Sequence, residues 1–375
     1  MKVHITLVGG QPAPVYHGIV ATNPERIVYI YSEQTKNVCN TLKSVIDIPF
    51  DDVPAVDSTN PEKIREIAQQ LADKYQNDEV TLNISSGSKP WSYWFARVFD
   101  ATQNASVVYI DQNNVLWNYK TMQQQKDFVF DMDMHFRLYG NTLEHYRKFS
   151  DYTSEDVEVA KNLEIARRYN QKYFKKLTTV LTSDWEGQLK NQSHGTFKID
   201  EIDYIDWKKP NTVTLALWNN KKCYNEWELN SDHAVDLAFN SGWFEFKIAH
   251  MLSHWKYAKE IRMNCIFPPK ETKNVKYPKN EIDIIINTGT KILFVECKTQ
   301  INTSTDIDKF RTAVKNYGGM GSKALFITDT PFTDVQKEKC AESGILTFSL
   351  QAEPSTNKEQ ALFKLLNGDL FNLNT

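Results

Sequence analysis

The five cysteines of this 375-residue chain are odd in number, irregular in spacing and include no CxxC pair. That pattern argues against a structural zinc site and a disulfide framework, and it points to a reducing compartment. No apolar run approaches the ~20 residues that span a bilayer. The start, MKVHITLVGG, enters a strand pattern directly and does not read as a leader. A cytoplasmic protein with no membrane association is expected. GxGxxG is missing, which disfavours a nicotinamide or flavin dinucleotide, and GxxxxGK[ST] is missing, which excludes a Walker loop. Excess positive charge is missing as well: 44 Lys and Arg stand against 47 Asp and Glu, a net charge of −3. Any nucleic-acid binding must therefore use a local groove. There is no internal repeat and no low-complexity tract, and the length suffices for two domains with cores of their own.

What is present begins with alternation. Val3–Val8, Ile27–Tyr31, Val45–Ile48, Val80–Ile84 and Val107–Ile110 read as strands. Pro14–Ala21, Glu33–Leu42, Pro61–Tyr75 and Pro90–Ala101 read as helices between them, with Pro61 and Pro90 where a first helical turn accepts proline. The order predicts an α/β fold with a doubly wound, mostly parallel sheet over the first ~120 residues. Such sheets bind ligands at the carboxyl ends of their strands, where the strand order reverses. Two loops there stand out: Gly9-Gly10-Gln11-Pro12 after the first strand, and Asn83-Ile84-Ser85-Ser86-Gly87-Ser88-Lys89 after the fourth. Hydroxyls, a glycine and a lysine opening a helix suit a phosphate or another anion, although a serine-rich turn has the same composition. Ser32-Glu33-Gln34-Thr35, after the second strand, reads either as a contact to a base or ribose or as an ordinary cap on Ser32.

The richest stretch is Asn280–Gln300, NEIDIIINTGTKILFVECKTQ. Strand alternation places Ile282, Ile284 and Ile286 on one face with Leu293, Val295 and Cys297. The other face ends in Glu281, Asp283, Glu296 and Lys298. Gly289-Thr290 suits the centre of a two-residue hairpin turn, which sets Asp283 opposite Glu296 and Glu281 opposite Lys298. Opposed like charges destabilise a sheet. A Mg²⁺ or Mn²⁺ ion between the two acids would remove the conflict; the alternative is a solvated edge hairpin with a salt bridge.

Elsewhere the signals are weaker. Lys126–Met134 reads as a strand whose Asp131 and Asp133 lie on a wet face. Thr153–Leu181 is helical and carries a basic, aromatic segment, Arg167–Lys176, compatible with nucleic-acid binding or with a solvated face. Phe197–Asp206 and Thr212–Trp218 read as strands, and Asp232–Tyr257 as one long helix capped by Asp232. His250 and His254 are four apart on that helix but lack the Glu of HExxH, so packing histidines are expected. Helices at Asp306–Tyr317 and Asp334–Ser343 flank the Gly318-Gly319-Met320-Gly321 turn and strand Ala324–Thr328, and strand Ile345–Ser349 follows.

Two resemblances follow from these residues. Asn83–Lys89 before an apolar helix, with Gly9–Gln11 after the first strand, resembles the nucleotide-sensing loops of the CARF domain, the Rossmann-like module of CRISPR-associated proteins. Ser85-Ser86 stands where many relatives have Thr-Gly. The resemblance implies a homodimer that binds a cyclic oligoadenylate, with cyclic tetra-adenylate the expected ring. Gly10, Gln11, Pro12, Ser32, Gln34, Thr35, Asn83, Ser85, Ser86, Gly87, Ser88 and Lys89 would form its site. Asp283, twelve residues, then Glu296-Cys297-Lys298 resembles the PD-(D/E)xK pattern of restriction-endonuclease-like nucleases, with Ile282 in place of the usual proline. Ser241-Gly242-Trp243-Phe244-Glu245 supplies the acid that such nucleases often carry on the preceding helix. The resemblance implies Asp283, Glu296 and the Cys297 carbonyl as ligands of Mn²⁺ or Mg²⁺, and Glu245, Asp283, Glu296 and Lys298 as catalytic residues.

The expected organisation is a sensor domain over 1–125, a connector over 126–230 and a restriction-endonuclease-like α/β nuclease domain over 231–375. The implied function is an allosteric endonuclease of type III CRISPR antiviral defence that cuts single-stranded DNA, RNA or both. The alternatives are a restriction- or repair-type DNA nuclease with a different nucleotide sensor, and a ligand-sensing regulator whose nuclease-like domain is inactive.

Overall fold

The computed structural model describes residues 1–54, 56–125, 130–179, 183–219, 223–268, 271–272, 275–276, 280–301, 303–319 and 321–373. The chain divides into two compact units. The first holds Met1–Leu143 with Gly289–Ile292 and Lys315–Ser322; the second holds Glu144–Thr288, Leu293–Val314 and Lys323–Thr375.

The first unit contains β1 (Lys2–Val8), α1 (Pro12–Thr22), β2 (Arg26–Tyr31), α2 (Lys36–Val45), β3 (Phe50–Val53), α3 (Pro61–Lys74), β4 (Glu79–Asn83), α4 (Lys89–Asp100), β5 (Ala105–Ile110), β6 (Leu116–Asn118), β7 (Gln123–Gln125) and α5 (Met132–Leu138). Its sheet runs β3-β2-β1-β4-β5-β6-β7. The first five strands are parallel, and β6 and β7 are added antiparallel. β1 is buried along six of its seven residues, as a central parallel strand covered on both faces must be. Ile64, Leu71, Trp91 and Phe95 of α3 and α4 cover one face; Val15, Ile19, Leu42 and Leu138 of α1, α2 and α5 cover the other. Strand order reverses between β1 and β4, so the doubly wound expectation holds.

The second unit contains β8 (His145–Lys148), α6 (Ser154–Tyr169), α7 (Gln171–Thr178), α8 (Ser183–Asn191), β9 (His194–Lys198), β10 (Tyr204–Lys208), β11 (Thr212–Trp218), β12 (Tyr224–Asn230), α9 (Ala234–Ala238), α10 (Gly242–Ser253), β13 (Glu260–Phe267), β14 (Glu271–Thr272), β15 (Val275–Lys276), β16 (Asn280–Asn287), β17 (Ile292–Lys298), α11 (Thr305–Tyr317), β18 (Lys323–Thr328), α12 (Asp334–Glu342), β19 (Ile345–Ser349) and α13 (Lys358–Phe371). A six-stranded sheet runs β19-β18-β17-β16-β13-β8, and a four-stranded antiparallel sheet runs β12-β11-β10-β9. Ile284, Ile286, Leu293, Val295 and Cys297 join a core with Leu163 of α6, Phe244 of α10, Leu215 of β11 and Leu366 of α13. This is the apolar hairpin face that the alternation required.

Several local expectations are corrected. Val45 closes α2, and the third parallel strand is Phe50–Val53 instead of Val45–Ile48; as an edge strand it tolerates Asp51 and Asp52, which hid it. Residues 126–129 of the expected Lys126–Met134 strand lie outside the described residues, and Met132–Met134 begin helix α5. Asp131 caps that helix, accepting from the amides of Asp133 at 2.9 Å and Met134 at 3.2 Å. Phe197–Asp206 is a hairpin whose turn is tied by Asp200, which accepts from the amides of Ile202 and Asp203 at 2.8 Å. Thr153–Leu181 breaks at Asn170, which caps α7. Asp232–Tyr257 breaks at Asn240 and Ser241, both left-handed at φ +51° and +71°. Asp232 caps nothing there; its carboxylate accepts from Asn211 Nδ2 at 2.8 Å.

Candidate functional site

In the first unit the β1–α1 and β4–α4 loops meet at the reversal of strand order. A Cβ on Gly9 would stand 2.4 Å from the Gly87 nitrogen and 2.7 Å from Ser86 Oγ, so the two loops touch backbone to backbone. The Gly9 amide donates to Ser86 Oγ at 3.0 Å, and that hydroxyl donates to the Gln11 carbonyl at 3.3 Å. Gly87 sits at φ +91°, a conformation that favours glycine.

The predicted ligand residues divide into two sets. Asn83, Ser85, Ser86 and Ser88 build the loops. Asn83 is 1% exposed, donates to the Pro14 carbonyl at 3.2 Å and accepts from the Ser85 amide and hydroxyl. Ser85 Oγ accepts from the Ile110 amide at 2.7 Å, and Ser88 caps α4 while donating to the Ser58 carbonyl. Gly10, Gly87 and Lys89 are exposed, and Gln11 is half-buried. Pro12 is buried as the first residue of α1. Ser32 and Thr35 close a capping box on a 3₁₀ turn, the second of the two readings of that segment, with Gln34 exposed beside them. Tyr139, which the sequence did not single out, donates its hydroxyl to Gln11 Oε1 at 2.9 Å.

In the second unit the acids converge. Strands β16 and β17 are adjacent, and Gly289 at φ +86° turns the chain between them. A connection this short makes the pair antiparallel. Asp283, 6% exposed, accepts the Cys297 amide on Oδ2 at 2.7 Å. Lys298 Nζ lies 2.7 Å from Glu296 Oε1 and 3.6 Å from Asp283 Oδ2. Glu245 stands in the first turn of α10, which packs on β13 and β16. A Cβ on Gly242 would meet the Asp236 carbonyl at 2.1 Å, so glycine is what lets α10 start against α9. Cys297 itself is 2% exposed and belongs to the core.

The electrostatics follow from this crowding. Burial first, then the charge of Asp283, raises Glu296 to about 8 despite Lys298. Burial and then Asp283 also hold Glu245 well above the usual carboxylate range. Burial alone would lower Lys298, but the charges of Asp283 and Glu296 outweigh it and hold the ammonium above its usual range. Burial, then the charge of Asp283, also raises Glu281, with Lys298 opposing. Among the described residues no group of three or more His, Cys, Asp or Glu gathers as a ready metal cage. The donor set nonetheless fits a hard divalent cation: the carboxylate oxygens of Asp283 and Glu296 both lie within 3.6 Å of Lys298 Nζ, and a cation among them would offset the repulsion that adds to burial in raising Glu296. His250 and His254 pack ring to ring at 4.8 Å, and His254 faces Glu359 at 3.3 Å, in keeping with packing histidines.

Two clefts open onto Glu245 and Lys298. One, about 620 Å³, adds Asn264, Glu281 and Asp283 to the basic Arg147, Lys190 and Lys209. The other, about 210 Å³, is lined by Arg167, Gln171, Lys175 and Thr299. Part of the Arg167–Lys176 segment therefore borders the acids. Sequence reading also missed Asn264, whose only signal was an amide inside the apolar run of β13; its Nδ2 donates to Glu245 Oε2 at 3.2 Å.

The raised Glu296 has a consequence for stability. Its folded pKa of about 8 lies above the ordinary 4.5, so between those values the folded chain holds a proton that the unfolded chain releases. Stability contributed by this group is therefore lost as pH rises from ~4.5 to ~8. In EDTA, Glu296→Gln is expected to gain in Tm over wild type as pH rises from 5 to 9, by about 2–4 °C for each kcal/mol relieved. Thermal melts at the two pH values check this; an equal difference at both would contradict the assignment.

Residues 3–139 match the Card1 CARF domain family. A search of curated proteins finds no match. The fold is similar to Can2 from Sulfobacillus thermosulfidooxidans, solved in complex with cyclic tetra-adenylate: TM-score 0.63 at 15% identity, covering 98% of each chain. It is similar to protein VC1899 from Vibrio cholerae, TM-score 0.63 at 14% identity, covering 97% of each chain. A type III CRISPR defence DNA nuclease activated by cyclic oligoadenylate aligns with TM-score 0.56 at 13% identity, over 98% of this chain and 52% of the other. Among the described residues no helix is long and apolar enough to cross a membrane.

Proposed function

We propose that this chain, with its Card1 CARF match over residues 3–139, is an endonuclease of type III CRISPR defence switched on by a cyclic oligoadenylate, with cyclic tetra-adenylate the favoured ring. The observation that carries the nuclease reading is Lys298 held at 2.7 Å from Glu296 and 3.6 Å from Asp283. Glu245 stands on the preceding helix beside them. The relative solved with cyclic tetra-adenylate and the cyclic-oligoadenylate-activated DNA nuclease support the sensing half of the reading.

Asp283, Glu296 and the Cys297 carbonyl would hold Mn²⁺ or Mg²⁺, and Glu245 or Glu281 would bind a second ion or a water. Bound there, such a cation would polarise the scissile phosphate and bring the pKa of a bound water down toward neutrality. Lys298 orients that water and offsets the negative charge that builds on the phosphorus oxygens. Arg167 and Lys175 on one side, and Arg147, Lys190 and Lys209 on the other, attract the phosphates that flank the cut. The substrate is single-stranded DNA, RNA or both, and the working form is a homodimer. A ligand acts on such an enzyme only through unequal affinity for its inactive and active states.

The test is cleavage of labelled single- and double-stranded DNA and RNA with Mn²⁺ or Mg²⁺, with and without cyclic tetra-adenylate. Metal-dependent cutting of single strands that rises with the ring is expected. Activity indifferent to every cyclic oligoadenylate would overturn the sensing assignment, and no cutting of any strand would overturn the nuclease assignment.

A further inference from the structure

Strand β13 carries one residue that does not behave as a strand residue. Asn264 is left-handed at φ +50° between Met263 and Cys265. Pairing with β16 joins Met263 to Ile284 and Cys265 to Ile282, so Asn264 falls opposite Asp283 without a ladder pair. On its other side the register to β8 slips between Met263 and Ile266, the mark of a bulge. Asparagine tolerates the left-handed region better than most residues but still adopts it at a cost. The distortion aims the amide out of the sheet. Its Nδ2 donates to Glu245 Oε2 at 3.2 Å, and its side chain also hydrogen-bonds Glu281. The donor end of the amide faces Glu245, and its NH₂ group carries two N–H donors, enough for one to each carboxyl group.

We infer that Asn264 is a positioning residue that holds the Glu245 and Glu281 side chains and so fixes the Glu245 carboxylate in the cleft it shares with Asp283 and Lys298. Neither carboxylate gains a charge partner from it; what it supplies is direction. Glu245 hangs on a helix and Asp283 on a sheet, and Asn264 is the tie between them. Residues that orient metal-binding or catalytic groups in this way typically contribute about 10–100-fold to affinity or activity when removed. The inference rests on the proposed nuclease reading and adds to it a residue and a role.

Asn264→Gly keeps the left-handed backbone and the bulge while deleting the amide. In the full chain it is expected to weaken Mn²⁺ binding, read by calorimetry or electron paramagnetic resonance, about tenfold or more. It should lower kcat for single-strand cleavage with KM unchanged, and leave thermal unfolding and cyclic tetra-adenylate affinity as in wild type. Asn264→Asp, which sets a third acceptor against two carboxylates, should lose more. If the residue acts through Glu245, adding Asn264→Gly to Glu245→Gln produces no further loss. Wild-type Mn²⁺ affinity and kcat in Asn264→Gly, or losses that simply multiply in the double variant, would overturn this inference alone. A wild-type chain that neither binds Mn²⁺ nor cuts would overturn the nuclease reading and this inference with it.

Discussion

Replacing Lys298 with alanine is expected to lower activated cleavage by about 10²–10³-fold, the scale of losing one group that stabilises developing charge. Lys298 is the cation that the structure sets against both Asp283 and Glu296. Its removal takes away the ammonium that would face the attacked phosphate, and it also leaves two carboxylates with less compensation. Glu296, already raised to about 8, has an inexpensive escape: it binds a proton. The folded state should therefore survive the change, and the loss should appear in kcat. The measurement is single-turnover cleavage of a labelled single strand under saturating cyclic tetra-adenylate, with thermal unfolding and ring affinity as controls. A variant that cuts at the wild-type rate would show that Lys298 is only the salt-bridge partner of a structural hairpin, which is the plainer meaning of the same residues.

Gly9→Ala is expected to weaken cyclic tetra-adenylate binding by about 10–100-fold, through steric displacement alone. The new methyl would lie 2.4 Å from the Gly87 nitrogen. Neither side has slack. Gly87 is itself held at φ +91°, and a Cβ there would already stand 3.0 Å from Leu7 Cβ. The loops must part, and the 3.0 Å bond from the Gly9 amide to Ser86 Oγ goes with the contact. Overpacking of this kind costs about 1–3 kcal/mol, and each ~1.4 kcal/mol is tenfold in affinity. Calorimetry with cyclic tetra-adenylate reads the effect, and Mn²⁺ binding by the second unit should not change. Wild-type ring affinity in the variant would mean that these two loops do not form the ligand site.

The two halves of the chain differ in how legible they were. β1, β2, β4 and β5 were readable because central parallel strands are nearly continuous apolar runs, and α3 and α4 because Pro61 and Pro90 mark their first turns. The hairpin was readable because strand alternation is strict: once Ile282, Ile284 and Ile286 share a face, Glu281 and Asp283 must share the other. β3 was missed because an edge strand need not be apolar, and the 232–257 region was read as unbroken because helical periodicity does not register two left-handed residues.

What the sequence by itself determined is the chemical inventory: two loops at the carboxyl ends of parallel strands, and three acids with a lysine on one face of a hairpin. Both follow from one- and two-residue rules that act along the chain. What only the tertiary structure decided is which members of that inventory are buried and which stay exposed. Asn83, Ser85 and Ser86 turned inward because buried polar groups must be satisfied, and their partners are the Pro14 and Gln11 carbonyls, the Ile110 amide and one another. Glu245 reached the acids because Gly242 lets α10 close on α9, and Asn264 meets Glu245 at a left-handed residue where β13 slips register against β8. Most of those contacts join residues far apart in sequence, which no local pattern encodes.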